Sequence, residues 1–124
     1  MFDFEQLSVY QKSIKLNKEI FAFIKHFPFI DYFLQKQLKR AIASVSANIA
    51  EGVGRFTVPD RRHFYIIARG SVFEAYAHLD IVAEVCAIDF NEFIGLRRDL
   101  EELSKMLFGL IQKTEIKHGF KTRT

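Results

Sequence analysis

The chain has 124 residues, enough to bury one hydrophobic core and too few for two ordinary domains. Its longest stretches without a charged side chain are about ten residues, which is too short for a helix that crosses a bilayer. No basic-then-apolar leader opens the chain, and the single cysteine, Cys86, cannot form an internal disulfide. We therefore expect a cytoplasmic protein that does not contact a membrane.

Charge is distributed unevenly along the chain, although the net charge is only +3. Residues 35–69 carry seven basic and two acidic side chains, and residues 70–112 carry three basic and eight acidic ones. Residues 113–124 are basic again. Three interpretations remain open: a basic surface for nucleic acid, opposite charges that pair within an assembly, and ordinary solvated helix faces.

Start and stop signals in the first half of the chain predict two helices. The first extends over residues 4–27, where Asp3 is placed to cap it and Pro28 ends it. Asp31 is placed to cap the second helix, which continues to about residue 55.

The second half of the chain predicts two more helices. Thr57, followed by Pro59, opens a third helix that continues to about residue 86, and Asp89 opens a fourth that ends near Lys113. Because the connections are short, successive helices should be antiparallel neighbours. The fold class is all-α: an up-down-up-down four-helix bundle over residues 1–113. A short basic tail, residues 114–124, has few apolar anchors, a composition compatible with disorder.

Apolar residues recur at spacings of three and four in the predicted helices. Helix four has one such row: Phe93, Leu96, Leu100, Leu103, Leu107 and Leu110. Helix one has two rows, a core seam of Leu7, Tyr10, Ile14, Phe21 and Ile24 and a second row of Val9, Leu16, Ile20, Phe23 and Phe27. A single bundle needs one apolar stripe per helix, so the surplus predicts self-association into a ring-like homo-oligomer.

A polar layer is predicted between helices two and three. The stretch "SVSANIAEG", residues 44–52, places polar or small residues on the face of helix two that should be buried. If the turn is centred between residues 57 and 58, Ser44 faces Ser71, and Arg40 faces Glu74 in a partly buried pair. The predicted layer consists of Arg40, Ser44, Asn48, Glu51, Gly52, Ser71 and Glu74. We interpret it as a cluster that fixes helix register, with direct ligand contact as the alternative.

The same residues resemble a known family. The runs "QLKRA" (37–41), "SVSANIAEG" (44–52) and "ARGSVFE" (68–74) resemble the signature of the four-helix-bundle proteins named for intervening sequences in 23S rRNA genes. The resemblance extends over residues 4–111 and implies a four-helix monomer in a barrel-like homopentamer. One branch, the accessory variability proteins of diversity-generating retroelements, is strongly basic, binds nucleic acid and associates with a reverse transcriptase. Most members have no established activity.

Enzymatic signatures are not found in the sequence. A di-iron bundle requires paired Glu-x-x-His motifs, whereas Glu74 and His78 are four residues apart and occur once. The four histidines have no metal-ligand spacing to one another or to Cys86. Residues 52–54, "GVG", lack the Gly-Lys-Ser/Thr ending of a phosphate loop. We therefore expect no catalysis, no metal and no cofactor.

Two classes of function remain. The first is a homo-oligomer, with a pentamer favoured, that binds RNA or DNA with little sequence specificity. Its candidate phosphate contacts are Lys36, Lys39, Arg55, Arg61, Arg62 and Arg69. The alternative is a protein-interaction scaffold that docks a reverse transcriptase or another partner without contacting nucleic acid.

Overall fold

The computed structural model describes Phe4 and residues 7–117, which form four α-helices and no β-strand. The helices are α1 (Ser8–His26), α2 (Tyr32–Val53), α3 (Val58–Val85) and α4 (Ile94–Lys117). A short 3-10 helix, Phe90–Glu92, precedes α4. The all-α prediction with four helices is therefore confirmed. In this part of the chain, none of the helices combines the length and apolar composition that a bilayer crossing requires.

Two of the predicted helix caps form hydrogen bonds. Asp31 Oδ1 accepts from the backbone N–H of Phe33 at 2.9 Å and of Leu34 at 3.3 Å. Thr57 Oγ1 accepts from the backbone N–H of Asp60 at 3.3 Å. These bonds satisfy N–H groups that have no partner within their own helix, which is why α2 and α3 begin where they do.

The other two helix starts differ from the prediction. Helix α1 begins at Ser8, after Leu7, which makes no side-chain capping bond, and Asp3 lies outside the described residues. Asp89 caps the 3-10 helix rather than α4, because its Oδ1 accepts from the backbone N–H of Asn91 at 2.8 Å.

Helix α4 also ends later than predicted, at Lys117 instead of near Lys113. Thr114 is buried there, and its hydroxyl donates to the carbonyl of Leu110 at 2.8 Å. The first residues of the predicted tail are therefore helical, and residues 118–124 lie outside the described part of the chain.

The hydrophobic core lies between all four helices. Helix α2 packs on α1 and α3, while α4 packs on α3 and α1. The largest side chains in the core with almost no exposure are Leu16, Ile20, Leu38, Ile42, Ile49, Leu79, Leu100, Leu103 and Leu107. The last three belong to the row predicted on helix four.

Helix α1 uses its second apolar row, and not the predicted seam, for most of its core contacts. Val9, Leu16 and Ile20 of the second row are buried, whereas Ile14 and Phe21 of the predicted seam are 45% and 43% exposed. The predicted seam is therefore wrong at Ile14 and Phe21. The two rows occupy adjacent arcs of one helix, so only the positions of α2 and α4 decide which row is covered.

Candidate nucleic-acid interface

The connection between α2 and α3 brings two of the predicted arginines together. Arg55 follows α2, and its guanidinium bonds to Glu51 Oε2 at 2.8 Å while lying 4.5 Å from the ring centroid of Phe64. Arg61 Nε donates to the backbone carbonyl of Arg55 at 2.7 Å. Arg62, the next residue of α3, is half-buried.

Acidic side chains share this end of the molecule. A groove of about 570 Å³ is lined by Ala47, Ala50, Glu51, Gly54, Arg55, Phe56, Thr57 and Asp60. Two carboxylates therefore face the same groove as Arg55, and they reduce the local positive potential.

Arg69 lies in a different environment. Its Nε donates to the carbonyl of Ser104 on α4 at 3.3 Å, and its guanidinium lies between the rings of Phe73 and Phe108, at 4.7 and 5.4 Å from their centroids. It is eight residues from Arg61, which corresponds to about 12 Å along a helix. These contacts join α3 to α4, and they engage the guanidinium group of Arg69 within the chain.

Lys36 and Lys39 lie near the beginning of α2. Lys39 is sixteen residues before Arg55, about 24 Å along the helix axis. The six predicted phosphate contacts therefore do not form one patch on a single chain. They occupy three places: the α2–α3 connection, the α3–α4 contact and the first turns of α2.

The predicted polar layer contains a small hydrogen-bonded cluster. Ser44 Oγ lies 2.9 Å from Ser71 Oγ across α2 and α3. Asn48 Nδ2 donates to the carbonyl of Ser44 at 2.8 Å and to Ser44 Oγ at 3.0 Å. Ser71 is buried, while Ser44 and Asn48 are half-buried. These groups satisfy one another, and the Ser44–Ser71 bond joins α2 to α3.

Arg40 and Glu74 form an ion pair of 3.0 Å, as their facing positions suggested. The pair is less buried than expected, because Arg40 is exposed while only Glu74 is half-buried, with side chains 59% and 40% exposed. Water screens a pair of this kind, so its contribution to the free energy of unfolding is about 0–1 kcal/mol.

Glu51 and Gly52 have roles outside the serine cluster. Glu51 is exposed and pairs with Arg55. Gly52 is buried against the ring of Tyr65 on α3. Burial raises the pKa of the Tyr65 phenol, and the nearby Arg61 lowers it by a smaller amount, so the phenol stays neutral at physiological pH.

A second polar cluster, between α1 and α2, is absent from the sequence-based prediction. Ser13 and Ser46 are buried, and their hydroxyl oxygens are 2.7 Å apart. Asn17 Nδ2 donates to Ser46 Oγ at 3.0 Å, to the carbonyl of Ser13 at 2.9 Å and to that of Ile42 at 3.2 Å. The signal was available, because Ser13 and Asn17 have the same four-residue spacing as Ser44 and Asn48.

Helix α3 carries apolar side chains on a face turned away from the core. We call this face the outer stripe; it consists of Ile66, Gly70, Phe73, Ala77, Ile81 and Val85, all exposed. Their spacings of three and four residues place them along one side of the helix. Over residues 7–114, no group of three His, Cys, Asp or Glu side chains has the arrangement of a metal site.

Comparison with known proteins identifies the fold and the family. A crystal structure of a protein of unknown function, from the S23 ribosomal protein family of Bacteroides thetaiotaomicron, superposes with a TM-score of 0.76. That protein is 22% identical, and the match covers 84% of this chain and 98% of the other, which shows a shared fold. No curated protein sequence matches the chain. The family model for the 23S rRNA-intervening sequence protein matches residues 5–109, and the chain therefore belongs to that family.

Proposed function

We propose that the protein is a non-catalytic homo-oligomer that binds RNA or DNA through phosphate contacts, with little sequence specificity. The observation that carries the proposal is the contact of Arg61 with Arg55 at one end of the molecule, where α2 passes into α3, with Arg62 next to Arg61 in the chain. A ring would repeat this basic end once per subunit. Such repetition multiplies a weak contact with a polyanion by raising its effective concentration.

The proposed subunit is an antiparallel up-down-up-down bundle. Two contacts between α2 and α3 support this topology. Arg40 bonds to Glu74, and Ser44 bonds to Ser71. Residue numbers thus rise on one helix while they fall on the other. The connections between helices are short, which favours the same arrangement.

The outer stripe of α3 is the surface that we assign to self-association. A continuous apolar stripe on a soluble helix is typical of a surface that another protein covers. If the stripe packs against a different face of the next subunit, the contact repeats by rotation and closes into a ring. We propose five subunits, in line with the family resemblance, and a cytoplasmic location.

Loss of two arginines tests the nucleic-acid proposal. For Arg61→Ala with Arg62→Ala, we expect weaker retention of RNA and DNA alike and a log-affinity slope against log salt that is flatter by about one per lost phosphate contact. Arg98→Ala with Lys105→Ala removes two exposed charges of α4 and is the control. Equal retention by the two double variants, or no retention by the parent at about 50 mM salt, contradicts the proposal.

A protein-interaction scaffold is the second candidate function. The observation that favours it is the engagement of Arg40, Arg55 and Arg69 in ion pairs or ring contacts within the chain. In this case the outer stripe docks another protein, such as a reverse transcriptase, and nucleic acid is not bound. An assembly that dissociates when Arg61 and Arg62 are removed, measured by light scattering, would favour the scaffold.

A further inference from the structure

The connection between α1 and α2 presents three aromatic rings to solvent. Phe29, Tyr32 and Phe33 are 64%, 72% and 62% exposed, and we call them the aromatic tip. Exposed aromatic side chains cost free energy unless something covers them, so three of them within five residues indicate a binding surface. The outer stripe of α3 and the α2–α3 arginines do not include these residues.

One lysine contacts the aromatic tip, and two more line a groove beside it. Lys36 Nζ lies 5.3 Å from the ring centroid of Tyr32, and Lys39 Nζ lies 5.2 Å from that of Phe21 on α1. A groove of about 500 Å³ runs between α1 and α2 next to the tip. Its lining residues are Phe21, Ala22, Ile24, Lys25, Pro28, Gln35 and Lys39. Lys25 and Lys39 therefore stand on two walls of one groove, and its lining contains no carboxylate.

The carboxylate closest in sequence, Asp31, does not cancel this positive charge. Its Oδ1 accepts hydrogen bonds from the backbone N–H groups of Phe33 and Leu34, at the positive end of α2. Residues 21–39 thus carry three lysines, Lys25, Lys36 and Lys39, against one acidic group. The surface combines flat rings with a net positive charge, so it is complementary to a ligand that carries both aromatic faces and anionic groups.

We propose that the aromatic tip and the adjoining lysine groove bind single-stranded nucleic acid. Bases stack on Phe29 and Tyr32, and the phosphates between them lie against Lys25, Lys36 and Lys39. A duplex buries the faces of its bases, so exposed rings favour a single strand over a duplex. This inference rests on the proposed function and deepens it, because it adds a second site and names the class of nucleic acid.

Fluorescence anisotropy with two labelled probes tests the inference. The probes are an oligothymidylate of about 15 nucleotides and a duplex of the same length. For Phe29→Ala with Tyr32→Ala, we expect the affinity for the single strand to fall about tenfold and the affinity for the duplex to change less than about twofold. Phe90→Ala, which removes a 48% exposed ring from the 3-10 helix before α4, is the control and should bind as the parent does.

Two further variants separate stacking from charge. Phe29→Tyr with Tyr32→Phe keeps both rings and should retain the parent's affinity for the single strand. Lys25→Ala with Lys39→Ala should lower the affinity for the single strand and flatten the salt dependence of that affinity. Since all four residues are exposed or line an open groove, circular dichroism should show unchanged helicity.

Several outcomes would overturn the inference. One is an unchanged affinity for the single strand in Phe29→Ala with Tyr32→Ala, while duplex binding still depends on Arg61 and Arg62. The proposed function would then stand without the aromatic tip. Another is that the variant without the two rings loses binding to phosphatidylserine vesicles but keeps binding to the oligonucleotide, which would make the tip a membrane site. If the same variant has a smaller mass than the parent in light scattering, the aromatic tip is a subunit contact. If the parent retains neither probe, the proposed function fails as well.

Discussion

Gly52, in the last turn of α2, permits the close approach of α2 and α3 near their connection. A Cβ atom at this position would lie 2.6 and 2.9 Å from two ring carbons of Tyr65 and 3.2 Å from the carbonyl oxygen of Arg61. The ring carbons are too close for any side chain, and Tyr65 is itself buried. The two glycines in "GVG" therefore differ, because a Cβ at Gly54 would meet only ordinary contacts of 3.6 and 3.7 Å.

Substitution of the two glycines should have opposite effects on the free energy of unfolding. We expect Gly52→Ala to lower it by about 1–3 kcal/mol, because the Tyr65 ring must shift within a packed contact. Gly54→Ala should leave it unchanged or raise it by about 0.4–1 kcal/mol, since alanine restricts the unfolded chain. Urea denaturation measures both. Equal midpoints for the two variants would mean that α2 and α3 are further apart at Gly52.

At the scale of elements, one hydrogen-bonding pattern occurs between two pairs of helices. In α1 and again in α2, a serine is followed four residues later by an asparagine that donates to the serine's carbonyl. Ser13 meets Ser46 across α1 and α2, and Ser44 meets Ser71 across α2 and α3. The two copies differ in the reach of the asparagine, because Asn17 also donates to Ser46 Oγ and to the Ile42 carbonyl on the neighbouring helix, whereas Asn48 donates only within α2.

That difference predicts unequal costs for the same substitution. Asn17→Ala removes the donor to the hydroxyl of Ser46 in a buried position, and we expect it to lower the free energy of unfolding by about 1–3 kcal/mol. Asn48→Ala removes bonds within α2 alone and gains helix propensity, so its cost should be below about 1 kcal/mol. Thermal and urea denaturation of both variants provide the test. A larger cost for Asn48→Ala would show that the α2–α3 cluster is the main alignment contact.

At the scale of the whole molecule, the proposed self-association depends on which exposed apolar surface forms the subunit contact. The sequence predicted a surplus apolar row on helix one, and Ile14 and Phe21 of the predicted core seam are the exposed ones there. Helix α3 nevertheless offers the longer surface, with six exposed apolar or small residues between Ile66 and Val85. Either helix could contain the subunit contact, and a matched pair of charge substitutions distinguishes them.

We expect Ile81→Glu to dissociate the assembly and Ile14→Glu to leave it intact. The two isoleucines have nearly equal exposure, 42% and 45%, so a glutamate at either position is tolerated by the monomer fold. A charge buried in the subunit contact is costly, whereas one outside it is not. Light scattering at micromolar concentration gives the masses. If only Ile14→Glu dissociates the oligomer, the contact lies on α1, and a parent with the mass of one chain would contradict self-association altogether.

Local signals in the sequence determined the number of helices and most of their limits. Asp31 and Thr57 accept backbone hydrogen bonds within three residues, and Pro28 excludes the preceding residue from a helix, so neither feature depends on distant contacts. The same is true of the leucines of α4, where a single apolar row leaves one choice of buried face. The family signature in residues 37–74 likewise required no structure.

Only the tertiary structure decided which of two adjacent rows of α1 enters the core, and which side chains Arg69 contacts within the chain. Those outcomes depend on the side chains of the neighbouring helices. Arg69 contacts Ser104 and Phe108 of α4. Ser46 of α2 completes the cluster of Ser13 and Asn17. The burial of the Arg40–Glu74 pair was overestimated for the same reason, since Arg40 is exposed. Facing positions predict which side chains meet, but the amount of water that reaches them depends on every helix around the pair.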